Sequence, residues 1–138
     1  MPVATKPVMT TYKLVLPEHL NQYGVLFGGN LLKWIDETGW MAASLEFPGH
    51  HFVTVGLDRV VFRKGAQGGN ILRFDVVRER TGKTSVTYQV SVTRRNLESG
   101  SAEDIFATNI TFVRIDEQGR KCSLETPYRP GPLQTVTL

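Results

Sequence analysis

One cysteine, Cys122, is all that the 138 residues contain. Its solitude excludes an internal disulfide framework and any zinc site built on several thiolates, and it favours a reducing, cytoplasmic compartment. Long apolar runs are also missing: nothing approaches the roughly 20 residues of a membrane-spanning helix. The opening MPVATKPVMT has no apolar stretch of the kind a secretory signal carries, so none is expected. Charge of one sign is scarce. With 16 Lys and Arg against 13 Asp and Glu, the net charge is only +3. That suits a small phosphate-bearing ligand but falls far short of the basic stripe of a nucleic-acid binder. There is no G-x-S-x-G elbow, and Cys122 has no histidine nearby, so serine or cysteine nucleophilic catalysis has no support. His50 and His51 point opposite ways on an extended segment and lack a partner at ligand spacing, so no metal site is expected.

What is present reads as one domain over residues 1–138, with its core at about 12–121 and an extended, proline-bearing tail at 122–138. A helix is predicted from Gly29 to Phe47, ending at Pro48-Gly49. Leu31, Leu32, Trp34, Ile35, Gly39, Met41, Ala42, Ala43 and Leu45 cover most of its circumference, and Lys33, Glu37 and Ser44 leave a narrow polar stripe. A helix this apolar is wrapped by other structure or held in an interface.

Strands follow. Val86, Tyr88, Val90 and Val92 alternate with Thr87, Gln89, Ser91 and Thr93, and Leu72, Phe74 and Val76 alternate in the same way upstream. RTGKTS joins the two as a hairpin, with Gly82 expected to take the positive φ of the turn. HFVTVGLDRVVF is a strand whose apolar phase slips near Asp58-Arg59, which predicts a bulge. EDIFATNITFVRID is the last long strand, closed by the turn DEQG, and TYKLVL is a weaker one before the helix. One helix with about five strands, mostly hairpin-linked, makes an α+β layer in which an antiparallel sheet wraps a helix. The exposed sheet edges call for dimerisation.

Two features within HLNQYGVLFGGNLLKWIDE stand apart from mere packing. Gly28 and Gly29 either form a tight turn or let a ligand approach the free N–H groups of the helix's first turn, an oxyanion or anion site. Asp36 lies two turns on, about 11 Å away, among Leu32, Gly39 and Trp40. A carboxylate in that company is costly unless chemistry retains it. TGKTS lacks the first glycine and the following helix of a nucleotide-binding loop, so that reading is rejected, although a basic turn with hydroxyls can still hold a phosphate.

These residues resemble a known family. LPEHLNQYGVLFGGNLLKWIDE, VTVGLDRVVFRK, RTGKTSVTYQVSV and ATNITFVRIDEQGR, over roughly residues 12–121, resemble the hot-dog-fold acyl-CoA thioesterases of the broad-range acyl-CoA hydrolase group. The resemblance implies a helix wrapped by an antiparallel sheet, dimers with a continuous double sheet, and assembly into hexamers as trimers of dimers. It implies hydrolysis of acyl-CoA to free acid and CoA with no cofactor beyond the CoA of the substrate. Asn21 matches the family's asparagine and Asp36 its catalytic aspartate, the two meeting across the dimer interface. Gly82, Lys83, Thr84 and Ser85 match the hairpin near the CoA phosphates and pantetheine.

On this reading Gly28 and Gly29 polarise the thioester oxygen, Asn21 orients water or carbonyl, and Asp36 acts as general base or attacks directly. Arg59, Arg63, Lys64 and Lys83 are the expected phosphate partners. Where relatives read K-P and G-D, this chain has Lys64-Gly65 and Gly69-Asn70, which is expected to loosen the loop between strands. Two other readings are a dehydratase of 3-hydroxyacyl thioesters, for which His19 is the remaining base candidate, and a non-catalytic acyl-CoA-binding domain.

Overall fold

The structure is a computed structural model and describes residues 6–127. Strand β1 (Met9–Leu14) is followed by a 3-10 turn at Pro17–His19, helix α1 (Gly28–Glu46), and strands β2 (His51–Phe62), β3 (Ile71–Thr81), β4 (Ser85–Arg95) and β5 (Ala102–Ile115). All pairings are antiparallel, in the order β1-β3-β4-β5-β2. The predicted alternation is the alternation found. Leu72, Phe74, Val76, Val86, Tyr88, Val90 and Val92 are buried beneath the helix, and Gln89 is exposed on the other face. The helix and the strand bounds fall close to the predicted ones, with β1 starting two residues earlier than TYKLVL. Of the tail expected at 122–138, residues 122–127 belong to no helix or strand, and 128–138 lie outside the described residues.

The hairpin expectation needs one correction. Strands β2 and β3 are successive in sequence but not neighbours: β2 takes the outer edge beside β5, and β1 takes the opposite edge. The phase slip in β2 is a real bulge. Its register shifts between Asp58 and Val61, where Arg59 adopts φ 57°, and shifts again between Thr54 and Gly56.

Helix α1 buries Leu31, Trp34, Ile35, Thr38, Gly39, Ala42 and Ala43 against the sheet. It sits close because Gly39 has no side chain: a Cβ there would lie 3.0 Å from Ile110 and from the Phe112 ring. Trp40, Met41 and Leu45 remain exposed. The helix is therefore wrapped on one side only within a single protomer, not on most sides.

Gly82 is also corrected. It is absent from the glycines with positive φ. Its N–H donates to Ser85 O at 2.7 Å, and a Cβ on it would meet Ser85 Oγ at 2.7 Å. Crowding by Ser85, not turn handedness, makes a glycine fit there. The loop with Gly65 and Asn70 is tied by hydrogen bonds at both residues. Asn70 Oδ1 accepts the Gln67 N–H at 2.8 Å, as an aspartate would, and Gly65 O accepts Arg94 Nη1 at 2.8 Å. A Cβ at Gly65 would come within 2.7 Å of Val25.

The last helical residue, Glu46, opposes the helix dipole and is held from the sheet. The Tyr88 hydroxyl donates to its Oε1 at 2.7 Å, and Arg78 Nη1 stands 3.5 Å from its Oε2. Burial, and then the Glu46 carboxylate, raise the Tyr88 phenol far above its ordinary value of 10.0. The fold thus keeps a neutral phenol that the unfolded chain ionises, so this contribution is intact below pH 10.0 and is lost as pH rises above it. Tyr88→Phe is expected to cost about 1–3 kcal/mol at neutral pH and to flatten the alkaline fall in stability. Urea midpoints measured on both proteins across the alkaline range check this; parallel curves would refute the assignment.

Candidate functional site

Asp36 projects from the exposed side of α1 toward β2, where the Thr54 hydroxyl donates to its Oδ1 at 2.5 Å. It is exposed in a single protomer, not enclosed by apolar neighbours as the sequence suggested. Asp36, Glu37, Trp40, Met41 and Thr54 line a cleft of about 350 Å³ between the helix and the edge strand. Thr54 was invisible to sequence reasoning. It lies 18 residues away, and only the packing of β2 against α1 brings it to the carboxylate. Glu37 is turned to Lys33 at 3.9 Å, the surface i, i+4 pair expected of it.

Asn21 is built into the loop before the helix. Its Oδ1 accepts the N–H groups of Tyr23 (2.9 Å) and Val25 (3.2 Å), and its own N–H donates to Val25 O at 2.8 Å. The side-chain oxygen is thereby committed, while Nδ2 has no partner among the described residues. Whatever Asn21 does to a ligand, it does as a donor.

Gly28 and Gly29 open the helix. The N-cap, Phe27, gives no side-chain cap, and the first turn holds no acidic residue. Phe27 O accepts the N–H of Asn30 (3.0 Å) and Leu31 (3.3 Å), while the N–H groups of Gly28 and Gly29 have no partner among the described residues. A Cβ on Gly29 would strike the Phe27 ring at 2.8 Å, and one on Gly28 would lie 3.5 Å from the Phe62 ring. Two free donors at the positive end of a helix dipole, flanked by exposed aromatic rings, are an arrangement that favours negative charge.

The remaining predicted residues divide between the two ends of the sheet. Ser85 pairs with Val113, next to Phe112, which pairs with Thr54. The hairpin Gly82, Lys83, Thr84 and Ser85 therefore lies toward the Asp36 end. Phe62 pairs with Phe106, seven residues along β5, about 23 Å from Val113. That end carries Arg63, Lys64 and the Gly28-Gly29 turn. Arg63 faces Asp104 at 3.8 Å and Lys64 faces Glu103 at 3.4 Å, so both have carboxylate partners in the free protomer. Arg59 and Arg63 share a cleft of about 310 Å³ with Glu79, Gln89 and Asn109. One protomer alone does not unite the predicted set.

Two of the three histidines are committed to structure, and the third, His51, is exposed on β2. His19 Nδ1 accepts the Leu16 N–H at 2.9 Å, which leaves the ring proton on Nε2, and the ring stands edge-on to Trp34 at 4.8 Å. His50 Nε2 accepts the Glu125 N–H at 3.1 Å, pinning the tail to the turn after the helix. Neither lines the Asp36 cleft. Among the described residues no three His, Cys, Asp or Glu side chains cluster as a metal ion requires, and no helix is long and apolar enough to cross a membrane.

Comparison with known proteins meets this geometry. Residues 23–100 match the model of the thioesterase superfamily. The chain is 29% identical over 109 residues to the acetyl-coenzyme A thioesterase of Rattus norvegicus, covering 77% of this chain but only 19% of that much longer protein. It is 28% identical to an uncharacterized acyl-CoA thioester hydrolase of Zymomonas mobilis, covering 80% of this chain and 74% of that one. Among solved structures, an apo-hexameric acyl-CoA thioesterase superposes with a TM-score of 0.79 at 30% identity, over 89% of this chain and 78% of that one. The acyl-CoA hydrolase of Staphylococcus aureus, solved with butyryl-CoA and CoA, gives 0.79 at 25% identity over 87% and 73%. A hexameric hot-dog thioesterase of Campylobacter jejuni gives 0.75 at 28% over 87% and 90%. With its helix wrapped by a five-stranded antiparallel sheet and its match over most of the core, this chain has the hot-dog fold and belongs to the thioesterase superfamily.

Proposed function

We propose that this protein hydrolyses the thioester of acyl-CoA to the free carboxylic acid and CoA. The observation that carries the reading is the Asp36 carboxylate, held by Thr54 at the mouth of an apolar-walled cleft in a chain of this family. The N–H groups of Gly28 and Gly29 and the Asn21 Nδ2 donate to the thioester oxygen as it gains charge. Asp36, with Oδ1 held by Thr54, takes the proton of the attacking water on its other oxygen. The tetrahedral intermediate then collapses, the C–S bond breaks, and the CoA sulfur leaves with the proton. A thioester is activated enough for one carboxylate and an oxyanion site to suffice, so the reaction uses no cofactor besides the CoA of its substrate.

The site is shared between protomers. Edge strand β2 pairs on one side with β5 and exposes Val53, Val55, Val60, Val61 and Phe62, an apolar edge that favours another strand. Two-fold antiparallel pairing of β2 with a second β2 sets the Asp36 end of one protomer against the Asn21, Gly28 and Gly29 end of its partner. It also carries Arg59, Arg63 and Lys64 toward the hairpin Gly82, Lys83, Thr84 and Ser85, so that together they hold the CoA phosphates. Hexameric relatives support a trimer of such dimers. A cytoplasmic setting fits the single free cysteine.

The test is direct. Purified protein incubated with a chain-length panel of acyl-CoA releases free thiol, read with a thiol reagent. Binding of acyl-CoA with no thiol from any member would replace this reading with the non-catalytic one.

A further inference from the structure

Of the aromatic side chains Phe27, Trp34 and Trp40, only Trp40 lines the cleft. Trp34 is buried in the core against Phe74 and His19, and Phe27 caps the helix start. Trp40 stands one helical turn beyond Asp36, on the wall that Asp36 itself shares. Its indole is anchored at one point: Nε1–H donates to Phe52 O at 3.3 Å. Phe52 is in turn buried within a cluster of Phe47, His50 and Phe112 rings. The neighbouring wall is different in kind. Met41 is a flexible thioether, partly exposed, able to adjust to what lies against it.

We infer that Trp40 is the specificity-determining residue for acyl length, a fixed stop that confines the acyl group to a short chain lying between Asp36 and the indole. The inference rests on the thioesterase reading and deepens it. Asp36 marks where the carbonyl must sit, and in the shared site the polar donors reach it from the partner's helix start. The apolar side chains that line the cleft beside Asp36 are Trp40 and Met41. From Asp36 to Trp40 the helix rises only about 6 Å, room for a short acyl group. A longer chain meets an indole that its backbone tether holds in place.

The experiment compares kcat/KM for dodecanoyl-CoA and butyryl-CoA in the full-length wild type, Trp40→Ala and Trp40→Phe. The wild type is expected to favour the short substrate. Trp40→Ala is expected to raise the long-to-short ratio about tenfold or more, chiefly through KM for the long chain. Trp40→Phe keeps the bulk but removes the donor to Phe52, so a smaller rise in the same direction is expected. Because this variant is conservative, it keeps the test alive if the alanine protein does not fold. Ratios unchanged in a folded variant overturn the inference while leaving the thioesterase reading standing. A wild type that releases thiol from neither substrate overturns both.

Discussion

Replacing Asp36 by asparagine is expected to lower kcat for acyl-CoA hydrolysis about 10²–10⁴-fold, the range that a positioned general base contributes, or about 3–5 kcal/mol of barrier. Asparagine is the informative substitution because it preserves an oxygen for the Thr54 hydroxyl and nearly preserves volume, while removing the basic oxygen. Asp36 is exposed in the protomer and takes no part in the core. Its loss should therefore leave the thermal midpoint close to that of the wild type. KM is expected to change little, since the carboxylate acts on water rather than on the bound acyl-CoA. Steady-state thiol release together with a melting curve separates the two effects. A folded Asp36→Asn protein with full kcat would remove Asp36 from the chemistry.

Asn21→Asp is expected to fold normally and yet lose most activity, by about 10²–10³-fold, as when one oxyanion donor is removed. The structural work of Asn21 is done by Oδ1, which accepts the Tyr23 and Val25 N–H groups, and aspartate supplies the same acceptor. What aspartate lacks is the Nδ2 donor, and it adds a negative charge where charge develops on the substrate. The decisive measurement mixes the two damaged proteins after dissociation and reassociation. In a shared site, a mixed dimer of Asn21→Asp and Asp36→Asn subunits holds one site with both native residues. With random pairing half the dimers are mixed, so about a quarter of wild-type activity returns. If each site were built within one protomer, no activity beyond that of the separate variants would appear.

Much of the molecule is legible in its amino-acid sequence. The period-two alternation of Leu72 to Val76 and of Val86 to Val92 names the buried face of β3 and β4 residue by residue, because a strand's facing is set by its own pleat. The slip at Asp58-Arg59 locates the bulge for the same reason. Pairing partners are another matter. Nothing in the sequence around β2 says that it crosses the sheet to lie beside β5 rather than β3. That choice is made by burial of the whole apolar face against the helix, a long-range term. Gly82 shows a subtler failure: a glycine in a turn suggests handedness, whereas the reason here is the Ser85 side chain crowding it. Asn70 shows the reverse. Expected to loosen its loop, it makes the same Oδ1 contact with Gln67 that an aspartate would make.

The site follows the same division. By itself the sequence determined which residues are candidates for the chemistry: a carboxylate on an apolar helix, a glycine pair at its start, and an asparagine in the loop before it. These are local facts of residue type and spacing, and the family motif is carried by them. Only the tertiary structure decided that Thr54 holds Asp36 and that Trp40, not Trp34 or Phe27, walls its cleft. It alone set Gly28 and Gly29 toward the opposite end of the sheet from the Gly82–Ser85 hairpin. Each of those outcomes depends on the order β1-β3-β4-β5-β2 and on an edge strand left without a second partner among the described residues. Contacts between residues distant in the chain arise from packing, and packing is a property of the folded whole.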